Sequence, residues 1–428
     1  SKEFPVFMSE LKAFMTASDN SELKLTYKTF TKASASLTSS EKLVVIDIGN
    51  KMLDKRLKPK PHFNHFLKSL TVVKNHPKTE LLLLEWLDVV DQIIEETTTK
   101  KFLIFCAFTN SLIQEKILRS SKSAKWTIDS YDFHFSFDMI EPIVSFSKNI
   151  DLSCSSEGGK IDVFGTKGTY YPISNEWIGG NGIINWENKG FNKDSVYAQV
   201  SNYKIDTRKS QIVADSSIFY NKYVFKKPII GKVVNKVSKG NKSNNYPKFT
   251  SYSKNIEIKE VFQNVDYRGG YKMIGRDFVA DGGDLAQARI IFKRDGKDIF
   301  VANSKRFKIE SDRITSQAAG IKIFFDNDSI YHSNLIFKYI NSSRKLELYR
   351  DKKTGAGASA MLNTYHKLVM DFELLEWNID SDMITFGSLP GSAQSIVNFE
   401  SIDMYSQSRF ESLQGIDAIH PLFLINNY

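Results

Sequence analysis

Two groups of side chains in this 428-residue chain have types and spacings that could do chemistry. The first is acidic. Asp277, Asp281 and Asp284 fall in a glycine-rich stretch around Gly282-Gly283, and Glu373 and Glu376 precede Trp377. Two carboxyl groups on opposite sides of a sugar supply a general acid and a nucleophile, so Asp281, Asp284, Glu373 and Glu376 are the acid candidates for a glycoside-cleaving site. The second group is aromatic. Trp177, Trp186, Tyr170, Tyr171 and Tyr197 gather around the glycine-rich residues 179–182. Exposed, such rings would stack on a glycan; buried, they are the core beside a turn of small residues.

Other chemistries find less support. Among the seven histidines, His62 and His65 are three apart on a helical stretch, but no third residue at ligand spacing joins them. His332 and His366 have Asp328, Asp371 and Glu373 near them in sequence, which permits a His–Asp pair for base catalysis or simply hydrogen-bonded loop histidines. The Asp loop matches neither an EF-hand nor a Gly-Gly-x-Gly-x-Asp repeat, so no metal and no cofactor is assigned. The sequence has no G-x-S-x-G elbow, no P-loop and no dinucleotide G-x-G-x-x-G after a strand. Cys106 lies in the apolar run 102–108, where burial suppresses reactivity, and with Cys154 as its only companion no disulfide framework can form.

The formal net charge is +9, carried mostly by lysine. The nearest basic clusters are Lys51, Lys55, Arg56, Lys58 and Lys60, and Lys226, Lys227, Lys232 and Lys236. Neither interleaves aromatics as a nucleic-acid site would, which argues against that partner; both would suit an anionic membrane surface or an acidic glycan. Apolar runs fall far short of the ~20 residues that span a bilayer as a helix. Because the chain begins at Ser1 without methionine and is still apolar at Leu422, Phe423, Leu424 and Ile425, it reads as part of a longer protein.

The elements that must position these residues change character once. Up to about residue 125 the apolar period is near 3.6: Phe4, Phe7, Leu11 and Phe14 share one stripe, and Ser39 and Ser40 stand as caps before Leu43, Ile46 and Leu53. Pro59 and Pro61 stop that helix, a third runs from about Thr79 to Glu96, and a fourth from about Lys100 to Arg119. This describes an antiparallel helical bundle or a short α-solenoid over 1–125, able to dock a partner. From Trp126 the period becomes two, most clearly where Tyr131, Phe133, Phe135 and Phe137 alternate with Asp132, His134 and Ser136. Residues 126–428 therefore read as all-β, with two sub-units meeting near 245–255. The strands would build a jellyroll, a solenoid stack or a sandwich. The steps Ala214-Asp215-Ser216-Ser217-Ile218 and Asn327-Asp328-Ser329-Ile330 look like two copies of a repeat, which favours stacking.

The acidic-Ser-apolar step into Pro228-Ile229-Ile230-Gly231-Lys232-Val233 resembles the β-jellyroll repeats of the lipopolysaccharide-transport (organic solvent tolerance) family over about residues 150–350. Trp177-Ile178-Gly179-Gly180-Asn181-Gly182 and Tyr246-Pro247-Lys248-Phe249 resemble long uncharacterised cell-envelope proteins of Bacteroidota. The resemblance implies a periplasmic or cell-surface scaffold with an amphipathic or glycan-like ligand and protein partners in an assembly; a cytoplasmic location stays open. The expectation is an α+β chain whose role is structural or binding, with a carbohydrate-active enzyme or glycan-binding module as the alternative.

Overall fold

Six α-helices precede the first strand in the structure, a computed structural model that describes residues 2–238, 246–283, 286–350, 359–387 and 397–403. Asp284 and the apolar run 422–425 lie outside these residues. The helices are α1 (Phe4–Thr16), α2 (Ser21–Ser34), α3 (Ser39–Asp54), α4 (Asn64–Asn75), α5 (Leu83–Glu96) and α6 (Thr99–Glu115). Sequence periodicity misses α2 because its inner face carries Thr26, Ala33 and Ser34 beside only two large apolar residues, Leu23 and Phe30. It begins instead on a cap, Asn20 Oδ1 accepting from the N–H groups of Glu22 and Leu23 at 3.0 and 3.2 Å. The cap of α3 is Thr38 rather than Ser39 or Ser40: its hydroxyl accepts from the Glu41 N–H while the Glu41 carboxylate accepts from the Thr38 N–H, a capping box. The same carboxylate receives Lys74 of α4 at 3.0 Å in a nearly dry site. Trp86 is wholly buried between Phe66 and Phe105, and its Nε1 donates to Thr109 Oγ1 at 3.0 Å. Helix α6 stops at Glu115, short of the expected Arg119, because Lys116 turns left-handed at φ 56° and Ile117 already starts a strand.

By compactness the chain divides into two units, Ser1–Thr250 and Ser251–Tyr428. In the first, the helices share a core with strands β1 (Ile117–Ser120), β2 (Lys125–Ile128), β3 (His134–Phe137), β4 (Pro142–Ser156), β5 (Gly159–Tyr171), β6 (Glu176–Asn185), β7 (Val196–Asp206), β8 (Gln211–Asn221) and β9 (Ile229–Lys236). Phe105 packs on Phe135 and Phe108 on Tyr170, while the Glu85 carboxylate of α5 accepts from the Phe135 N–H at 3.1 Å and covers the edge strand β3.

From β4 to β9 each strand pairs antiparallel with the next. The two ends of β4 have different neighbours, β3 along Pro142–Ser145 and β2 along Leu152–Ser155. Between those ends the sheet creases. In β6 the buried residues are Trp177 and Gly179, then Gly182 and Ile184; in β7 they are Val196, Ala198 and Val200, then Tyr203 and Ile205; in β8 Ile212 and Ala214, then Ser217, Phe219 and Asn221. Each time the inward parity changes across two exposed residues, Gly180-Asn181, Ser201-Asn202 and Asp215-Ser216. One extra residue flips every side chain beyond it to the other face, so a bulge at the bend keeps both arms apolar on the inside. Trp126 closes the fold, its Nε1 donating across to the carbonyl of Lys209 at 3.0 Å.

Glycine serves close approach here rather than turning. A Cβ on Gly231, opposite Ser217 at the crease, would stand 2.2 Å from the carbonyl oxygen of Thr250 and 2.6 Å from the Phe249 ring, which itself stacks on Phe219. Gly231→Val is expected to destabilise the first unit by about 1–3 kcal/mol through overpacking, read as a lower urea midpoint with an unchanged slope.

The second unit repeats the device. Its strands are β10 (Ile256–Phe262), β11 (Val265–Ile274), β12 (Asp277–Asp281), β13 (Ala288–Arg294), β14 (Lys297–Ser304), β15 (Arg306–Ile309), β16 (Arg313–Phe325), β17 (Asp328–Ile340), β18 (Lys345–Tyr349), β19 (Met361–Asn363), β20 (Leu368–Asp371), β21 (Leu374–Asn378), β22 (Ile384–Gly387) and β23 (Asn398–Ser401). Strands β11, β16 and β17 bend and contribute to two pairing sets. One set runs β10-β11-β13-β14-β16-β17-β19-β20-β23; the other runs β11-β12-β15-β16-β17-β18-β21-β22. The parity of β16 switches across exposed Gln317-Ala318, and that of β17 across Ser333-Asn334. The chain is thus an α+β protein with its strands in creased antiparallel sheets. The two sequence steps read as a repeat have different structural jobs: Asp215-Ser216 is a crease in mid-strand, whereas Asn327-Asp328 is at the hairpin between β16 and β17.

Candidate functional site

The aromatic candidates are core. Trp177, Trp186 and Tyr170 expose 0%, 0% and 1% of their surface, and Tyr171 is half-buried. Phe146 lies against Trp177 at 5.4 Å and Phe219 against Trp186 at 5.2 Å. Burial pushes the Tyr170 phenol up to about 12, with its hydroxyl 3.4 Å from Thr207 Oγ1. Residues 179–182 are not a turn but the creased middle of β6, where Gly179 makes room for the Tyr203 ring.

The acids occupy separate strands with separate cations. Asp281, at the end of β12, bonds Lys254; Glu376 in β21 receives Lys345 at 2.5 Å; Asp277 has Lys308 at 3.8 Å. Glu373 is half-buried just before β21, where its backbone carbonyl accepts from the Arg350 N–H at 3.1 Å. The histidines are also committed. His332 is buried; its Nδ1 accepts from the Asn334 N–H at 3.0 Å, so Nε2 carries the proton and donates to the Ser359 carbonyl at 2.8 Å. Desolvation lowers its pKa and keeps it neutral. Among the described residues no aspartate bonds His332, and the ring is held instead by backbone groups. His62 Nδ1 accepts from the Lys58 N–H, and His65 Nδ1 lies 2.8 Å from the Pro61 carbonyl. Among the described residues no group of three or more His, Cys, Asp or Glu side chains could hold a metal ion.

Both thiols are buried. Burial raises Cys106 far above the ordinary range and Cys154 to about 12. Ellman's reagent is expected to find neither thiol in the native protein at pH 8 and both after denaturation; rapid labelling of a native thiol would contradict this packing.

Three of the nine basic residues singled out in sequence are paired with acids. Lys51 is held by Asp47, Asp91 and Glu95 at 3.1, 2.7 and 2.8 Å, Lys60 by Glu22 at 2.6 Å, and Lys232 by Asp215 at 3.2 Å. A different set gathers at the outer crease of the second unit. Two adjoining clefts of about 580 and 630 Å3 share Gln287 and Asn303. The first is lined by Lys305, Arg306, Gln317 and Asn334, the second by Lys254, Asn255, Arg268 and Arg289. The strand register produces this row: Glu257, Arg268, Arg289, Asn303 and Gly320 stand opposite one another across five strands. Arg289 Nε donates to Asn303 Oδ1 at 3.0 Å, and Arg268 bonds Asn255 with Glu257 at 4.0 Å. Among the described residues no carboxylate comes within 4.0 Å of Arg289, Lys305 or Arg306. Sequence reading missed this set because its members are spread over residues 254–334; the signal is the polar pair that interrupts strand alternation at each crease.

Fold and site together define an α+β protein with a helical layer, creased antiparallel sheets and a basic, amide-lined outer cleft. No protein-family model and no curated protein matches the chain. Among solved structures, a match is LptH of Pseudomonas aeruginosa, described as the LptA-homologous periplasmic component of the conserved lipopolysaccharide transport device. It shares 10% identity, covers 37% of this chain and 96% of that chain, and has a TM-score of 0.21. At that score the likeness does not define the fold, which is read from the strand pairing.

Proposed function

We propose that this chain is a non-catalytic binding or structural component of a bacterial cell envelope that works within an assembly. The observation that carries the reading is the outer crease of the second unit, where Arg289, Lys305, Arg306 and amide side chains are left for a ligand while Asp281 is turned to Lys254 and Asp266 to Lys293. That arrangement holds a polar ligand without placing a general acid and a nucleophile beside it. The helical layer, with Leu25, Leu43 and Leu81 exposed, is the face we assign to protein partners. The periplasmic or cell-surface setting is supported by the sequence resemblance. No helix among the described residues is long and apolar enough to cross a membrane.

The test is to recover the full-length protein from its native cells in mild detergent and identify by mass spectrometry what accompanies it. Stoichiometric recovery with other envelope components is the expected result. Recovery alone, together with glycan turnover that disappears in Glu373→Gln or Asp281→Asn, would replace this reading with the carbohydrate-active one.

A further inference from the structure

We infer that the outer crease of the second unit is a binding site for an acidic polysaccharide; this rests on the binding reading above and names its ligand. The first argument is electrostatic. Arg268 and Arg289 stand directly opposite on neighbouring strands, a like-charge pairing that costs stability unless something negative lies over it. Glu257, 4.0 Å from Arg268 on the flank of the row, answers only that one; among the described residues no carboxylate comes within 4.0 Å of Arg289, Lys305 or Arg306, and Asp281, which stands opposite Arg306 in the strand register, is bonded to Lys254. Guanidinium groups are the side chains suited to bidentate capture of carboxylate, sulfate or phosphate groups.

The second argument is the company they keep. Asn255, Gln287, Asn303, Gln317 and Asn334 line the same two clefts and offer paired donors and acceptors, the complement of sugar hydroxyls. Among the described residues no aromatic side chain lines either cleft, so they offer no stacking platform of the kind single-stranded nucleic acid requires. Anions spaced along a hydroxyl-rich chain fit both features. The clefts adjoin through Gln287 and Asn303, so one polymer can span them.

The experiment is fluorescence anisotropy of labelled heparin and polygalacturonate oligosaccharides on the full chain, with a charge-matched single-stranded oligonucleotide and neutral dextran alongside. Saturable binding of an acidic oligosaccharide is expected, tighter than either comparison and weakening with salt. Arg289→Glu with Arg306→Glu should weaken it at least tenfold, and Lys226→Glu with Lys227→Glu, the same charge change on exposed lysines of the first unit, less than twofold. Arg289→Glu alone should melt no lower than the parent, because it replaces a like pair with an opposite one, and should still weaken binding, so that loss cannot be ascribed to unfolding. An oligonucleotide that binds as tightly, or an equal loss in the first-unit lysine variant, overturns the inference. Equal binding of dextran overturns the acidic class while leaving a binding protein; shortening of the oligosaccharides by the wild-type chain overturns the binding reading itself.

Discussion

Replacing Trp177 by alanine should unfold the first unit at markedly lower urea, a loss of about 3–5 kcal/mol. The ring is completely buried at the crease, 5.4 Å from Phe146, and packs so closely under β5 that a Cβ on Gly168 would come within 2.8 Å of it. Its removal leaves a cavity in a place where two arms of one sheet meet and neither can move in without opening the bend. Urea titration followed by far-ultraviolet circular dichroism measures it. A surface ring that stacks on sugar would behave in the opposite way, losing ligand and keeping its midpoint. An unchanged midpoint in Trp177→Ala would therefore contradict the core described here.

Glu41→Gln should cost about 3 kcal/mol at neutral pH, since it leaves Lys74 buried without its counter-charge. The Glu41 and Lys74 side chains are 7% and 9% exposed, and the same carboxylate closes the capping box of α3. Burial opposes ionisation of Glu41, but the Thr38 N–H and the Lys74 ammonium outweigh it and hold the carboxyl below its ordinary 4.5. A depressed carboxylate gives its full contribution above that value and loses it as the pH falls through the lower, folded one. Glu22, brought to about 2 by Lys60 and Lys68, adds an independent part to the same acid limb. The informative quantity is thus the gap between variant and parent: wide at pH 7, closing as both are acidified toward pH 3. A gap that stays constant with pH would show that the charge is not what Glu41 contributes.

The switch from helical to strand period was legible because long apolar stripes and the alternation of Tyr131, Phe133, Phe135 and Phe137 are local signals. Helix α2 was hidden by threonine, alanine and serine on its buried face, and is marked only by the Asn20 cap. The creases were hidden in a more instructive way. Asp215-Ser216 and Gly180-Asn181 looked like turns or repeat boundaries, yet they are single strands passing a bend with one residue to spare. A parity change across two polar residues can be read from sequence once the reason for it is known. The site was the least legible part. Trp177 and Trp186 carry ring surface that serves a core as well as a sugar, and composition alone does not distinguish the two. The basic cleft needs the register that sets Arg268 opposite Arg289, residues twenty-one apart in sequence, and no local pattern encodes it.

The measurement that bears most directly on the account is recovery of an acidic oligosaccharide after equilibrium with the full chain. Oligogalacturonate incubated with the protein and then separated by mass spectrometry should come back bound and of unchanged length, with less retained by the Arg289→Glu, Arg306→Glu protein. Shortened or unsaturated products, abolished by Glu376→Gln or Asp281→Asn, would contradict it and place the carboxylates at the centre of the protein's work.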